Sequence, residues 1–125
     1  MSHLAQVWGV KVERGPDCLI IRLQMATTTS QEGERLADVI WSILERHFTY
    51  RVIVELDQVE EMCDYLLGEL VALSHRLRSR GGMLRLCGLS PRNRRKLKEA
   101  REDGRLPSYP NRHDAMVGHS AAMAP

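Results

Sequence analysis

A chain of 125 residues, 43% hydrophobic and 27% charged, has room for one core and not for a second of similar size. Its formal charge of +2 gives no global reason to expect a nucleic-acid or membrane partner, and no stretch has the apolar length of a membrane span. Cys18, Cys63 and Cys87 are odd in number and far apart, which fits buried free thiols in a reducing compartment; Met1-Ser-His-Leu-Ala5 lacks the basic start and apolar run of a secretory signal, so the expected location is cytoplasmic.

Val7 to Glu13 opens the chain as a half-buried strand, with Val10 and Val12 alternating with Lys11 and Glu13. Arg14-Gly-Pro-Asp17 supplies a turn. Cys18 to Met25 follows as a second strand, with Leu19, Ile21, Leu23 and Met25 on one face and Arg22 and Gln24 on the other, so the two form an antiparallel hairpin. Ala26 to Gln31 is polar, and Ser30 is the expected N-cap of a helix carrying the stripe Leu36, Val39, Ile40, Ile43, Leu44 and His47, which should stop near Phe48.

Arg51 to Leu56 is a short β-branched run with Val52, Val54 and Leu56 on one parity, the pattern of a largely buried strand. The period then changes. Leu66, Leu67, Leu70, Leu73 and Leu77 recur at helical spacing, and the turn from Asp57 to Cys63 leads to Asp64, whose carboxylate suits the first free amides of that helix. A strand that hands over to a helix N-terminus makes a site with exposed donors and partial positive charge. Gly81-Gly82 ends the helix, and Met83 to Cys87 is a short strand with Leu84 and Leu86 on one face.

Ser90-Pro91 starts a third helix, a hydroxyl cap followed by the position where the missing N–H of proline is harmless. That helix should run toward Gly104 at the edge of the core, since Leu97 and Ala100 are its main apolar residues. After Leu106-Pro-Ser-Tyr-Pro110, Asn111 and Asp114 resemble a capping box for a last short helix through Val117. Ser120 to Pro125 reads as a disordered tail, leaving residues 1–119 as a single domain. Hairpin, helix, strand, helix, strand, helix implies an α/β domain. Its mixed β-sheet begins with an antiparallel hairpin, continues with parallel strands, and carries its helices mainly on one face.

Patterns for chemistry are absent. There is no paired-carboxylate, Ser-His-Asp or Cys-His set, Gly81-Gly82 lacks the Lys and Ser or Thr of a phosphate loop, and His47 and His75 have no partner at metal spacing. No catalytic residue, cofactor or metal is expected, and the chain does not read as an enzyme. Asp57, Glu60, Glu61, Asp64 and Glu69 make an acidic rim around the strand-to-helix turn. The third helix bears six cationic residues, Arg92, Arg94, Arg95, Lys96, Lys98 and Arg101, within ten positions. They could grip phosphates, but they lack interleaved aromatics and are diluted by Glu99, Glu102 and Asp103, so nucleic-acid binding through this helix is the alternative reading.

The order of elements resembles a STAS domain, the module of bacterial anti-sigma-factor antagonists and of the cytoplasmic part of sulphate transporters. So do Val54-Glu-Leu-Asp-Gln-Val-Glu-Glu-Met-Cys-Asp-Tyr-Leu-Leu-Gly-Glu-Leu70 and Leu86-Cys-Gly-Leu-Ser-Pro-Arg-Asn-Arg-Arg-Lys-Leu97. The resemblance covers about Val7 to Val117. Matching Leu56 and Leu67-Gly68 to the family pattern sets Asp57 at its first serine, Gln58 at a glycine, Cys63 at its second aspartate and Asp64 at the serine that an anti-sigma-factor kinase phosphorylates. Tyr65 and Leu66 replace the following serine and glycine. Asp64 carries one negative charge where phosphoserine carries about one and a half to two. It therefore either mimics the phosphorylated state or marks loss of the switch. The resemblance implies a non-catalytic protein-interaction module that regulates transcription or signalling. Its partner would be an anti-sigma-factor-like or kinase-like regulatory protein, docked on Asp57, Gln58, Cys63, Asp64, Tyr65 and Leu67 with help from Ser90, Arg92 and the loop Ala26 to Gln31; a homodimer is left open.

Overall fold

The computed structural model describes residues 6–27 and 35–118. In chain order they form β1 (Gln6–Arg14), β2 (Leu19–Thr27), α1 (Leu36–Arg46), β3 (Arg51–Gln58), α2 (Asp64–Arg78), β4 (Met83–Cys87), α3 (Pro91–Glu99), β5 (Ser108–Tyr109) and α4 (Arg112–Val117). The five strands lie side by side in that same order, with β1 and β2 antiparallel and every later pair parallel. Each parallel step needs a crossover, and α1, α2 and α3 supply the first three layers of cover.

Parity in the strands decides what each face buries. Leu19, Ile21 and Leu23 of β2, Val52, Val54 and Leu56 of β3, and Leu84 and Leu86 of β4 face α1 and α2 and form the main core. Leu66, Leu70, Leu73 and Leu77 are completely buried along α2, each contributing about 2 kcal/mol by leaving water. The other parity, Ile20, Ile53 and Cys87, meets Ala115 of α4 in a smaller second core. The mixed sheet with helices mainly on one face is thus observed, and among the described elements only α4 packs on the opposite face. Among the described residues no helix is long and apolar enough to cross a membrane.

The differences from the expected elements have local causes. The helix begun at Ser90 stops at Glu99 rather than Gly104, because Arg101 turns left-handed at φ 60°. The Glu102 N–H then closes on the Leu97 carbonyl. The same ending recurs at Phe48 (φ 56°) after α1, with the Thr49 N–H on Leu44, and at Gly81 (φ 70°) after α2, with the Gly82 N–H on Leu77. Only one of the three uses the residue that adopts this conformation without cost. β3 runs on to Gln58, and the two-residue β5 between Pro107 and Pro110 was not anticipated. Ser30 and Ser120 to Pro125 lie outside the described residues; the residue flanking the start of α1 is Arg35, whose side chain makes no cap.

Candidate docking site

The turn after β3 is built from two buried residues and two exposed ones. Val59 and Met62 are tucked into the core, which leaves Glu60 and Glu61 facing outward. Its backbone is held by a single side chain from α3. Asn93, fully buried, accepts from the Met62 N–H through Oδ1 at 2.8 Å and donates through Nδ2 to the Val59 carbonyl at 2.9 Å. A buried amide serving one donor and one acceptor of a turn replaces the water that the turn would otherwise need. Asn93 itself sits in the first turn of α3, its N–H bonded to the Ser90 hydroxyl that caps the helix. The expected cap is therefore present, which commits the Ser90 side chain to α3 rather than leaving it free for a partner.

Asp64 is the first residue of α2 and not its cap, a correction to the expectation above. Cys63 holds the extended N-cap conformation (φ −79°, ψ 169°), and its side chain makes no capping hydrogen bond. A residue already in helical conformation directs its side chain outward, so the Asp64 carboxylate cannot fold back on those N–H groups. It is instead 97% exposed and 2.7 Å from Lys96 Nζ of α3. That hydrogen bond and the lysine charge hold the carboxyl below its ordinary range and raise the lysine in return. Arg92 lies 3.7 Å from Glu61, making a second pair between α3 and the turn.

Other nominated residues fall on different surfaces. Asp57 has the parity of Ile53 and Glu55, so its carboxylate lies on the α4 side of the sheet, where Arg22 binds both oxygens and keeps it below the usual carboxylate range. Arg22 also approaches Glu55, which accepts from Arg112 at 2.6 Å, and Arg112 reaches Glu13 at 2.9 Å. Leu67 is buried in the main core, following Leu66 on the inward side of the helix, a phase that the motif match alone does not reveal. Gln58 is exposed, Cys63 is half-buried against the core, and Thr28 to Gln31 of the expected accessory loop lie outside the described residues.

Tyr65 and Glu69 serve a purpose that local reading missed. The Leu36 N–H donates to the Tyr65 hydroxyl at 3.2 Å and the Ala37 N–H to Glu69 Oε1 at 2.9 Å, so α2 caps the N-terminus of α1. The second oxygen of Glu69 accepts from the Arg35 guanidinium at 2.9 Å. Glu69 is consequently buried beneath α1 and is no part of an acidic rim. Tyr65 keeps nearly half of its surface open beside Asp64. What remains accessible is a ledge of Gln58, Glu60, Glu61, Asp64 and Tyr65, with Arg92 and Lys96 alongside. Among the described residues no cluster of His, Cys, Asp and Glu could hold a metal ion.

A family model described as STAS domain matches residues 10–115. Solved structures resemble the fold, two of them as follows. One, an anti-sigma factor antagonist from Mycobacterium paratuberculosis, is 19% identical with a TM-score of 0.70, over 90% of this chain and 93% of that one. The other, a candidate anti-sigma factor antagonist from Thermotoga maritima, is 18% identical with a TM-score of 0.65, over 87% and 92%. No curated protein matches by sequence. The chain belongs to the STAS domain family.

Proposed function

We propose that this STAS domain is a non-catalytic docking module of a cytoplasmic regulatory circuit. An anti-sigma-factor-like or kinase-like protein lands on the ledge from Gln58 to Tyr65, with Arg92 and Lys96 at its side. The observation that carries this reading is Asp64, a 97% exposed carboxylate at the first position of α2 where the family pattern sets a phosphorylatable serine. Asp64 has no hydroxyl for a serine kinase to modify, so its single negative charge is part of the contact without any such modification. The free N-terminal amides of α2 beside it favour an acidic or polar contact from the partner, while Tyr65 offers an aromatic surface of the kind that anchors interfaces.

The test begins with recovery of the partner by pull-down from the native cell, for which neighbouring genes are a first guide. Asp64→Lys should then change affinity by about tenfold or more, since it reverses the charge of the most exposed carboxylate of the ledge and breaks its pair with Lys96. Asp64→Ser should change affinity and can be assayed for phosphorylation. Equal binding by Asp64→Lys and the parent chain would remove the ledge as the docking surface.

The alternative reading, nucleic acid on α3, draws on Arg94, Arg95 and Lys98, all exposed. It predicts binding that falls steeply with salt and weakens when Arg94, Arg95 and Lys96 are neutralised. A gel-shift panel without binding at low salt would eliminate it.

A further inference from the structure

The two edges of the sheet are unlike. β5 is two residues long and lies between Pro107 and Pro110, which cannot extend a ladder on their donor side. β1 is nine residues long, contains no proline, and pairs with β2 at every position from Gln6↔Thr27 to Arg14↔Leu19 without a bulge. Among the described residues its other side has no strand against it. A long regular edge is a template for another strand.

The residues of β1 restrict what can pair there. A two-fold axis normal to the sheet continues the pleat only if it passes through a residue, because antiparallel partners must share a face. Centred on Lys11 or Glu13, such an axis sets like charges against each other. Centred on Val10, it leaves Lys11 opposite Gly9 and Glu13 opposite Val7. Centred on Val12, it pairs each Lys11 with the Glu13 of the second copy and sets Val12 on Val12. Val12 is one of the few large apolar residues left exposed, at 38%, and Lys11 and Glu13 are exposed on the opposite face. The Glu13 carboxylate is already oriented on that face by Arg112, at 2.9 Å, and remains 58% exposed.

We infer that this chain forms a two-fold dimer in which β1 pairs antiparallel with β1 of a second copy, centred on Val12, to make one continuous sheet. The helices of both copies then lie on the same face, and the ledge around Asp64 is not used by the contact. The dimer is therefore independent of the docking proposal.

Sedimentation equilibrium on the full chain tests it. The parent should show a concentration-dependent monomer–dimer equilibrium. Lys11→Glu and Glu13→Lys should each raise the dissociation constant by about tenfold or more, since both contacts become repulsive. An equimolar mixture of the two variants should recover dimer, because every pair across the two-fold is again of opposite sign. Thermal melts establish that each variant is folded; should Glu13→Lys melt early through loss of its Arg112 contact, Lys11→Glu alone carries the test. A parent that stays monomeric at high concentration overturns the dimer. Undiminished dimer in Lys11→Glu overturns the edge, and folded variants that fail to recover on mixing overturn the register.

Discussion

The two ends of the parallel strands are finished by different means. Where β3 and β4 end, beside the ledge, the backbone is met by side chains from elsewhere in the chain: buried Asn93 on the turn at Val59 and Met62, buried Glu69 and half-open Tyr65 on the start of α1. Where those strands begin, α1 and α2 are closed by their own backbone, through the left-handed residues Phe48 and Gly81. A side-chain clamp is lost with one substitution. A backbone closure survives most substitutions and can even be improved by the right one.

Removal of Asn93 should give the largest effect. Asn93→Ala leaves the Met62 N–H and the Val59 carbonyl buried without partners and opens a small cavity, an expected loss of about 3 kcal/mol by urea unfolding. Amide exchange at residues 59–62 should rise as well. A loss below about 1 kcal/mol would mean that water takes over the clamp. Glu69→Ala removes the acceptor for the Ala37 N–H, and an expected cost of about 2 kcal/mol places it next, since Arg35 regains water at the surface.

At the other end the sign reverses. Phe48 is 93% exposed and left-handed, so Phe48→Gly removes backbone strain and almost no buried surface. It should stabilise the protein by about 1 kcal/mol, seen as a higher melting temperature. Arg101→Gly at the end of α3 should act alike. Destabilisation by either would show that the exposed side chain contributes more than its conformation costs.

The effect that is smallest near neutral pH is a slope that develops only in alkaline solution. Burial, with help from Glu55, pushes the Cys87 thiol up from 9.0 to about 12. The folded chain therefore keeps a proton that the unfolded chain releases. The associated stability is complete below pH 9 and declines as pH rises from 9 toward 12. Cys87→Ala should flatten that alkaline decline in chemical denaturation, and the parent thiol should resist alkylation until the protein unfolds.

Much of the fold was legible because burial leaves a local period. The alternation in β2 and β3 and the leucine stripe of α2 each report one face of one element, and no distant residue is needed to read them. β5 has no room for a period, and the left-handed turn at Arg101 is paid for by backbone bonds that its side chain does not advertise. The site was legible only in part for the same reason. Asp64 could be placed by the pattern around it, yet Lys96, Asn93 and the capping of α1 by Tyr65 and Glu69 are contacts across roughly thirty residues of chain. A signal existed at Asn93, an amide too short to reach back to its own N-cap from the first turn of a helix, and therefore aimed at something else.

α4 sets an order on events during synthesis. It follows every other described element, and its Arg112 joins Glu13 of β1 to Glu55 of β3 while Ala115 covers Ile20, Ile53 and Cys87. A nascent chain can complete its larger core once α3 and Leu106 have emerged, but the second face of its sheet stays wet until α4 leaves the ribosome. A product truncated before Arg112 would be nearly native in one half and adhesive in the other, the kind of species that chaperones and proteases clear.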